Sequence, residues 1–139
     1  MTAATICVIF NPTAGRGRAR PRLERLKRCL GARAEFRPTQ WAGHAEHLAL
    51  EAAQEGFAFV AAAGGDGTAH EVANGILRAG RPEVTLAVFP IGSANDYAHS
   101  LGLDADWWLD GDSGVNACHV DVGKARTPGG REQIGRAHV

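Results

Sequence analysis

Apolar residues along this chain come in short blocks separated by polar stretches of helical period. Residues 5–10 (TICVIF) are β-branched or apolar throughout, the pattern of a strand buried on both faces, as in a parallel sheet. Residues 57–63 and 84–89 (VTLAVF) read the same way, and residues 34–37 form a shorter candidate strand. Between these blocks the period lengthens. Leu23, Leu26 and Leu30 recur at helical spacing, with Arg22, Arg25 and Arg28 among the polar positions. Pro21 suits the first turn of that helix and Gly31 the position just past its end. Residues 44–55 are Ala- and Leu-rich and stop before Gly56. A further helix opens at Thr68, carries Val72, Ala73, Ile76 and Leu77 on one side, and stops at Gly80 before Pro82. Ser93 stands three residues before Asp96, a cap-like pair for a helix ending near Gly102.

Strand and helix therefore alternate with short connections. This predicts an α/β domain with a mostly parallel, Rossmann-like sheet, flanking helices and right-handed crossovers. In such sheets ligands bind at the carboxyl ends of the strands, where the strand order switches. The loops 11–17, 39–43, 64–68 and 90–96 would share that edge. All four hold glycine and small polar residues, more than connection alone requires.

The richest of these loops is Gly64-Gly65-Asp66-Gly67, leading into Thr68, Ala69, His70 and Glu71. Glycines let the backbone approach a ligand and adopt φ > 0. The helix N-terminus just beyond offers free N–H groups and partial positive charge, which suit phosphate. Thr68 and Glu71 have the spacing of a capping box. Asp66 would repel a bare phosphate, so it fits better with Mg²⁺ or a reacting hydroxyl between them. The plainer reading is that Asp66 shapes the turn by accepting backbone N–H groups.

Composition narrows the partners. The chain has 139 residues and balanced charge, with 15 Lys+Arg and 15 Asp+Glu, enough for one core. Nine of the basic residues lie between Arg16 and Arg37, and Asp104, Asp106, Asp110 and Asp112 cluster later. The basic segment fits anionic ligands or a lipid surface, though a solvated helix face is its ordinary meaning. No nucleic-acid partner is expected. Cys7, Cys29 and Cys118 lack metal-type or CxxC spacing and read as reduced thilols of the cytoplasm, two of them in core positions. His44 and His47 sit three apart on a predicted helix with no evident third metal ligand. No apolar run approaches the roughly 20 residues of a spanning helix. There is no G-x-x-x-x-G-K-[ST] and no G-x-G-x-x-G after a strand, so neither the P-loop nor that dinucleotide fingerprint is supported.

Three blocks remain to be read together. Asn11, Pro12, Thr13, Ala14 and Gly15 form the first. Gly64, Gly65, Asp66, Gly67 and Thr68, with Glu71, Asn74 and Gly75, form the second. Pro90, Ile91, Gly92, Ser93, Ala94, Asn95 and Asp96 form the third. With Thr39 and Gly43-His44-Ala45, they resemble in order and spacing the signature blocks of the diacylglycerol kinase catalytic domain, a family that includes bacterial lipid kinases, sphingosine kinases and ceramide kinases. The second block is also similar to that of NAD kinases and 6-phosphofructokinases, which share the fold; the third favours the lipid-kinase side.

The resemblance implies an ATP-binding α/β domain over residues 1–125, followed by a C-terminal β-sandwich largely missing from this chain. Residues 126–133 would begin that remainder. Ile134 to Val139 resemble the translated start of a sequencing adapter and are set aside as a non-native tail. The implied activity is transfer of the ATP γ-phosphoryl group, with Mg²⁺, to a hydroxyl of diacylglycerol or a related lipid. The acceptor would be met at the inner membrane surface by a cytoplasmic, peripheral protein, and a homodimer is compatible with this. Asn11 to Gly15 would wrap the nucleotide, with Asn11 near its phosphates or ribose. Thr39 would hydrogen-bond the nucleotide, and Gly64 to Glu71 would form the phosphate turn. Gly92 would belong to the nucleotide site, Ser93 would contact ATP where the family more often has Thr, and Asn95 and Asp96 would brace that loop. Asp66 is the expected catalytic residue. The alternatives are a related kinase with a soluble acceptor, NAD kinase-like, and a nucleotide-binding fragment without catalysis.

Overall fold

β1 (Ile6–Phe10) is the strand against which both layers of the molecule pack. The structure is a computed structural model that describes residues 4–14, 19–91, 121–126 and 132–138. Cys7 and Ile9 point to one core, Val8 and Phe10 to the other. This is the two-faced burial that an unbroken apolar run implies. β1 pairs in parallel with β2 (Ala34–Pro38) and with β3 (Phe59–Gly64), and β3 pairs in parallel with β4 (Thr85–Pro90). The sheet order is β2-β1-β3-β4.

Three helices cover the sheet. α1 (Arg20–Leu30) lays Leu23 and Leu26 on Val8, Ala61, Ala63 and Phe89. α2 (His44–Glu55) and α3 (Asp66–Ala79) cover the opposite face, bringing Ala45, Ala49, Ala52, Ala69, Val72 and Ile76 onto Cys7, Ile9, Val60, Ala62 and Val88. Leu77, expected on the apolar side of α3, is instead 40% exposed. Pro at the start of α1, Gly31 after it, Gly56 after α2 and Gly80 after α3 punctuate the chain as its sequence suggests. Gly31, Gly56 and Gly80 all take positive φ. β5 (Asp121–Arg126) and β6 (Glu132–His138) form a separate antiparallel pair, and β6 takes in most of the tail set aside above. The helix expected after Ser93 lies outside the described residues.

α2 and α3 cross unusually closely, and the cause is specific. A Cβ at Gly75 would overlap the Glu46 carbonyl oxygen and come within 2.6 Å of Ala49 Cβ and 2.9 Å of Leu50 N. Glu71, Gly75 and Arg78, spaced i, i+4, i+7, form the stripe of α3 that faces α2. Glu71 Oε1 accepts the Gly43 N–H at 2.5 Å, at the N-terminus of α2, and Arg78 Nη1 lies 3.2 Å from Glu46 Oε1.

At the edge of the sheet, Arg37 reaches Glu55 at 2.6 Å and Glu35 at 2.7 Å. Burial works to lower the Arg37 pKa, but the Glu55 and Glu35 carboxylates outweigh it and hold the guanidinium above the usual arginine range. Both carboxylates are about half exposed, so the network adds little stability. It does place charge along β2, which is an edge strand among the described residues. Of the three thiols, two of which were expected in the core, Cys7 is buried and Cys29 is exposed. Cys118 lies outside the described residues.

Two outcomes follow from this packing. Gly75→Ala gains about 1 kcal/mol of helix propensity, yet its methyl group has no room. Urea melts should show a net loss of about 1–3 kcal/mol, whereas Gly67→Ala, where an added Cβ meets nothing within 4 Å among the described residues, should melt no earlier than the parent. Burial pushes the Cys7 thiol from about 9 up to about 11, with Arg37 pulling the other way. The folded state thus favours the neutral thiol. That contribution is complete below pH 9 and is lost as pH rises through 11. Unfolding free energy should fall between these limits by about 1.4 kcal/mol per pH unit more than in Cys7→Val; urea melts across that range read the difference.

Candidate functional site

Strand register brings the ends of the four strands together. Phe10 stands opposite Pro38 on one side and Ala63 on the other, Ala63 opposite Phe89, and Gly64 opposite Pro90. The four strands therefore end level, and Asn11, Thr39, Gly65 and Ile91 leave the sheet along one edge. From β1 the chain goes outward to β2, then returns across β1 to β3. The helices change face at the same point, α1 on one side and α2 and α3 on the other. The strand order therefore switches between β1 and β3, and the crevice lies between the Asn11 loop and the Gly65 turn.

On the β1 side, Asn11 closes its own loop. Its Oδ1 accepts the Thr13 N–H at 2.9 Å and the Thr13 hydroxyl at 2.8 Å, an Asx-type turn. Its backbone carbonyl accepts the Ala14 N–H at 3.1 Å. Pro12 and Thr13 are exposed, and Ala14 is buried. A hollow of about 330 Å³ opens beside this loop, between Phe10, Asn11, Pro12, Leu23, Lys27 and Ile91. Lys27 Nζ lies 5.2 Å above the Phe10 ring and 5.7 Å from that of Phe36, a placement that sequence spacing alone did not suggest. Gly15, Gly92, Ser93, Asn95 and Asp96 lie outside the described residues.

On the β3 side the turn differs from expectation in three ways. α3 begins at Asp66, two residues earlier than Thr68, with Gly65 as its N-cap in an extended conformation and no side-chain cap. The first helical bond runs from the Ala69 N–H to the Gly65 carbonyl at 3.2 Å. Thr68 and Glu71 form no capping box, because the Glu71 carboxylate is drawn to the N-terminus of α2 instead. Nor do Gly64, Gly65 and Gly67 take positive φ. Gly64 is required by space: a Cβ there would meet Thr68 Oγ1 at 2.9 Å. Asp66 is half-buried in the first turn of α3, where a carboxylate suits the helix dipole. Gly67 is exposed, Thr68 and Ala69 are buried, and His70 is half-buried, its carbonyl accepting from Asn74 Nδ2 at 2.8 Å.

The loop between β2 and α2 is pinned on both sides of the crevice. The Thr39 N–H donates to the Phe10 carbonyl at 2.9 Å, and the Gly43 N–H to Glu71 on α3. The Gln40 N–H donates to His44 Nδ1 at 3.0 Å. Trp41 stacks on the His44 ring with centroids 3.7 Å apart and planes 14° from parallel, while remaining 60% exposed. His47 faces Glu51 at 3.0 Å. Among the described residues no group of three or more His, Cys, Asp or Glu is placed to hold a metal ion, and no helix is long and apolar enough to cross a membrane.

Comparison with known proteins agrees with this architecture. The family profile of the diacylglycerol kinase catalytic domain matches residues 5–124. The chain is 38% identical over 124 residues to a diacylglycerol kinase of Bacillus subtilis strain 168, covering 84% of this chain and 40% of that protein. It is 34% identical over 123 residues to a diacylglycerol kinase of Staphylococcus carnosus, with the same shares. A crystal structure of a diacylglycerol kinase from Bacillus anthracis superposes with a TM-score of 0.66 at 26% identity, covering 96% of this chain and 48% of that one. The chain thus spans less than half the length of these relatives. With the profile running from the first strand to past the last switch-point loop, the chain belongs to the diacylglycerol kinase catalytic domain family.

Proposed function

We propose that the whole protein is an ATP-dependent lipid kinase and that this chain supplies its nucleotide-binding part. The acceptor would be the hydroxyl of diacylglycerol or a related lipid. One observation carries the reading: four strands of a chain in this family end level, and Asn11, Thr39, Gly65 and Ile91 leave them along one edge at the switch point. The backbone N–H groups at the start of α3 face that edge with no side-chain cap from Gly65. Such groups suit a polyphosphate.

In this reading Gly64, Gly65, Gly67 and Thr68 shape the phosphate turn, with Ala69, His70 and Glu71 fixing the helix behind it. Asn11 to Gly15 close over the nucleotide from the β1 side, with Thr39 beside them. Gly92, Ser93, Asn95 and Asp96, which follow β4 in the sequence, would add further nucleotide contacts, as the family resemblance implies. Phosphoryl transfer asks a protein mainly to position groups and neutralise charge. Asp66, half-buried in the first turn of α3, is the carboxylate of this turn. Magnesium is commonly held by one or two carboxylates plus the substrate's phosphates, so a single Asp in this position fits it, with the remaining ligands from the nucleotide. When bound, the ion would neutralise charge on the transferring group. Asp66 would hold it or accept the proton of the acceptor hydroxyl. The lipid contacts, and a cytoplasmic location against the membrane, belong to the whole protein.

The test uses the full-length protein, labelled ATP, extracted lipids and, in parallel, NAD. Label should pass to lipid. Asp66→Asn should lower kcat by about a hundredfold or more, with melting temperature near that of the parent. Full activity in Asp66→Asn would remove the role assigned to it. Label passing to NAD instead would replace the lipid acceptor.

A further inference from the structure

Trp41 is the one large aromatic side chain strongly exposed among the described residues, and it stands in a loop of the switch-point edge. We infer that Trp41 is a stacking platform for the purine base of the bound nucleotide. This rests on the nucleotide-binding reading above and adds to it the residue that holds the base.

Three features argue for it. First, the indole is held rather than loose. It lies nearly parallel to the His44 ring at 3.7 Å, and His44 is itself buried and fixed by the Gln40 N–H on Nδ1. The His44 N–H also donates to the Trp41 carbonyl at 3.2 Å. With imidazole against one side and 60% of the residue still in solvent, an aromatic surface remains available for a flat ligand. The two rings lie face to face, and a rigid platform loses little entropy when a base settles on it.

Second, the loop is tied to both walls of the crevice. Thr39 bonds to the last residue of β1, and Gly43 bonds to Glu71 of α3. Glu71 lies five residues beyond Asp66, about 7.5 Å along the helix axis, and Trp41 is two residues from Gly43. A ribose and its phosphates span that order of distance, so phosphates at the start of α3 leave the base within reach of Trp41. Third, the surroundings suit an uncharged ring. Ala42 and Gly43 follow the indole, and neither carries a side chain that would compete for its surface.

A membrane contact is the other use of an exposed tryptophan. The bonds that tie this loop to β1 and α3 favour the nucleotide, since they make its position part of the crevice.

The experiment measures ATP and tripolyphosphate affinity by calorimetry on the full-length protein, with Trp41→Ala and Trp41→Phe beside the parent. Trp41→Ala should weaken ATP binding by roughly five- to a hundredfold, leave tripolyphosphate binding unchanged, and raise the KM for ATP without changing that for lipid. Trp41→Phe, which keeps a ring and the fold, should recover most of the loss. ATP binding unchanged in Trp41→Ala would overturn the inference while leaving the nucleotide reading intact. A loss shared by tripolyphosphate, or weaker binding of phosphatidylcholine–phosphatidylglycerol vesicles with ATP affinity unaltered, would also overturn it. A parent protein that binds neither ATP nor tripolyphosphate would remove both readings together.

Discussion

The contact of α3 with α2 at Gly75 sets the geometry of the candidate site. Absence of a side chain there lets the two backbones approach so closely that a methyl group would strike the Glu46 carbonyl. One turn earlier on the same stripe, Glu71 reaches the N-terminus of α2. A carboxylate there meets an unpaired N–H and the positive end of a helix dipole together. Ala45, Ala49 and Ala52 keep the facing side of α2 equally flat. Small residues thus fix the distance between the helices, and one carboxylate fixes their alignment. The result ties the loop before α2 to the turn that opens α3.

The sheet supplies the other half of the constraint. Parallel pairing in matched register makes all four strands end level. The reversal of direction at β1 moves the helices to the other face, as crossovers of one hand require. A crevice opens where the covering helices part. Alternate residues of β1 serve both cores, so β1 cannot slip by one residue without exchanging Cys7 and Ile9 for Val8 and Phe10 in each. The floor of the site is therefore rigid because it is also the centre of the core.

Much of this was legible in the amino-acid order. Unbroken apolar runs and glycine stops marked strands and helices to within a residue or two, because burial on two faces leaves no freedom for polar insertions. The parallel α/β class followed from the alternation. What was not legible was partnership across space. Thr68 and Glu71 had the spacing of a capping box, but that spacing cannot reveal that a second helix N-terminus lies nearer to the carboxylate. Leu77 had the period of the buried side, yet the stripe facing α2 runs through Glu71, Gly75 and Arg78, and leaves Leu77 outside. The stack of Trp41 on His44 pairs a loop residue with a helix residue, and neither periodicity nor propensity encodes it.

The glycines of the phosphate turn repay separate argument, because the fold accounts for only some of them. Gly64 is demanded by Thr68, and Gly75 by α2. Gly67 is different. It lies in the first turn of a regular helix, its φ is not positive, and among the described residues an added Cβ would meet nothing within 4 Å. Alanine there would strengthen the helix, by up to about 1 kcal/mol in a helix interior and by less in a first turn. Among the described residues, neither packing nor backbone conformation asks for the weaker residue. A bare backbone does offer one thing that alanine does not, which is an N–H that a bulky anion can approach without striking a methyl group. The stability forgone at Gly67 is thus intelligible as access to the start of α3, at the same edge where Asn11, Thr39 and Ile91 leave the sheet.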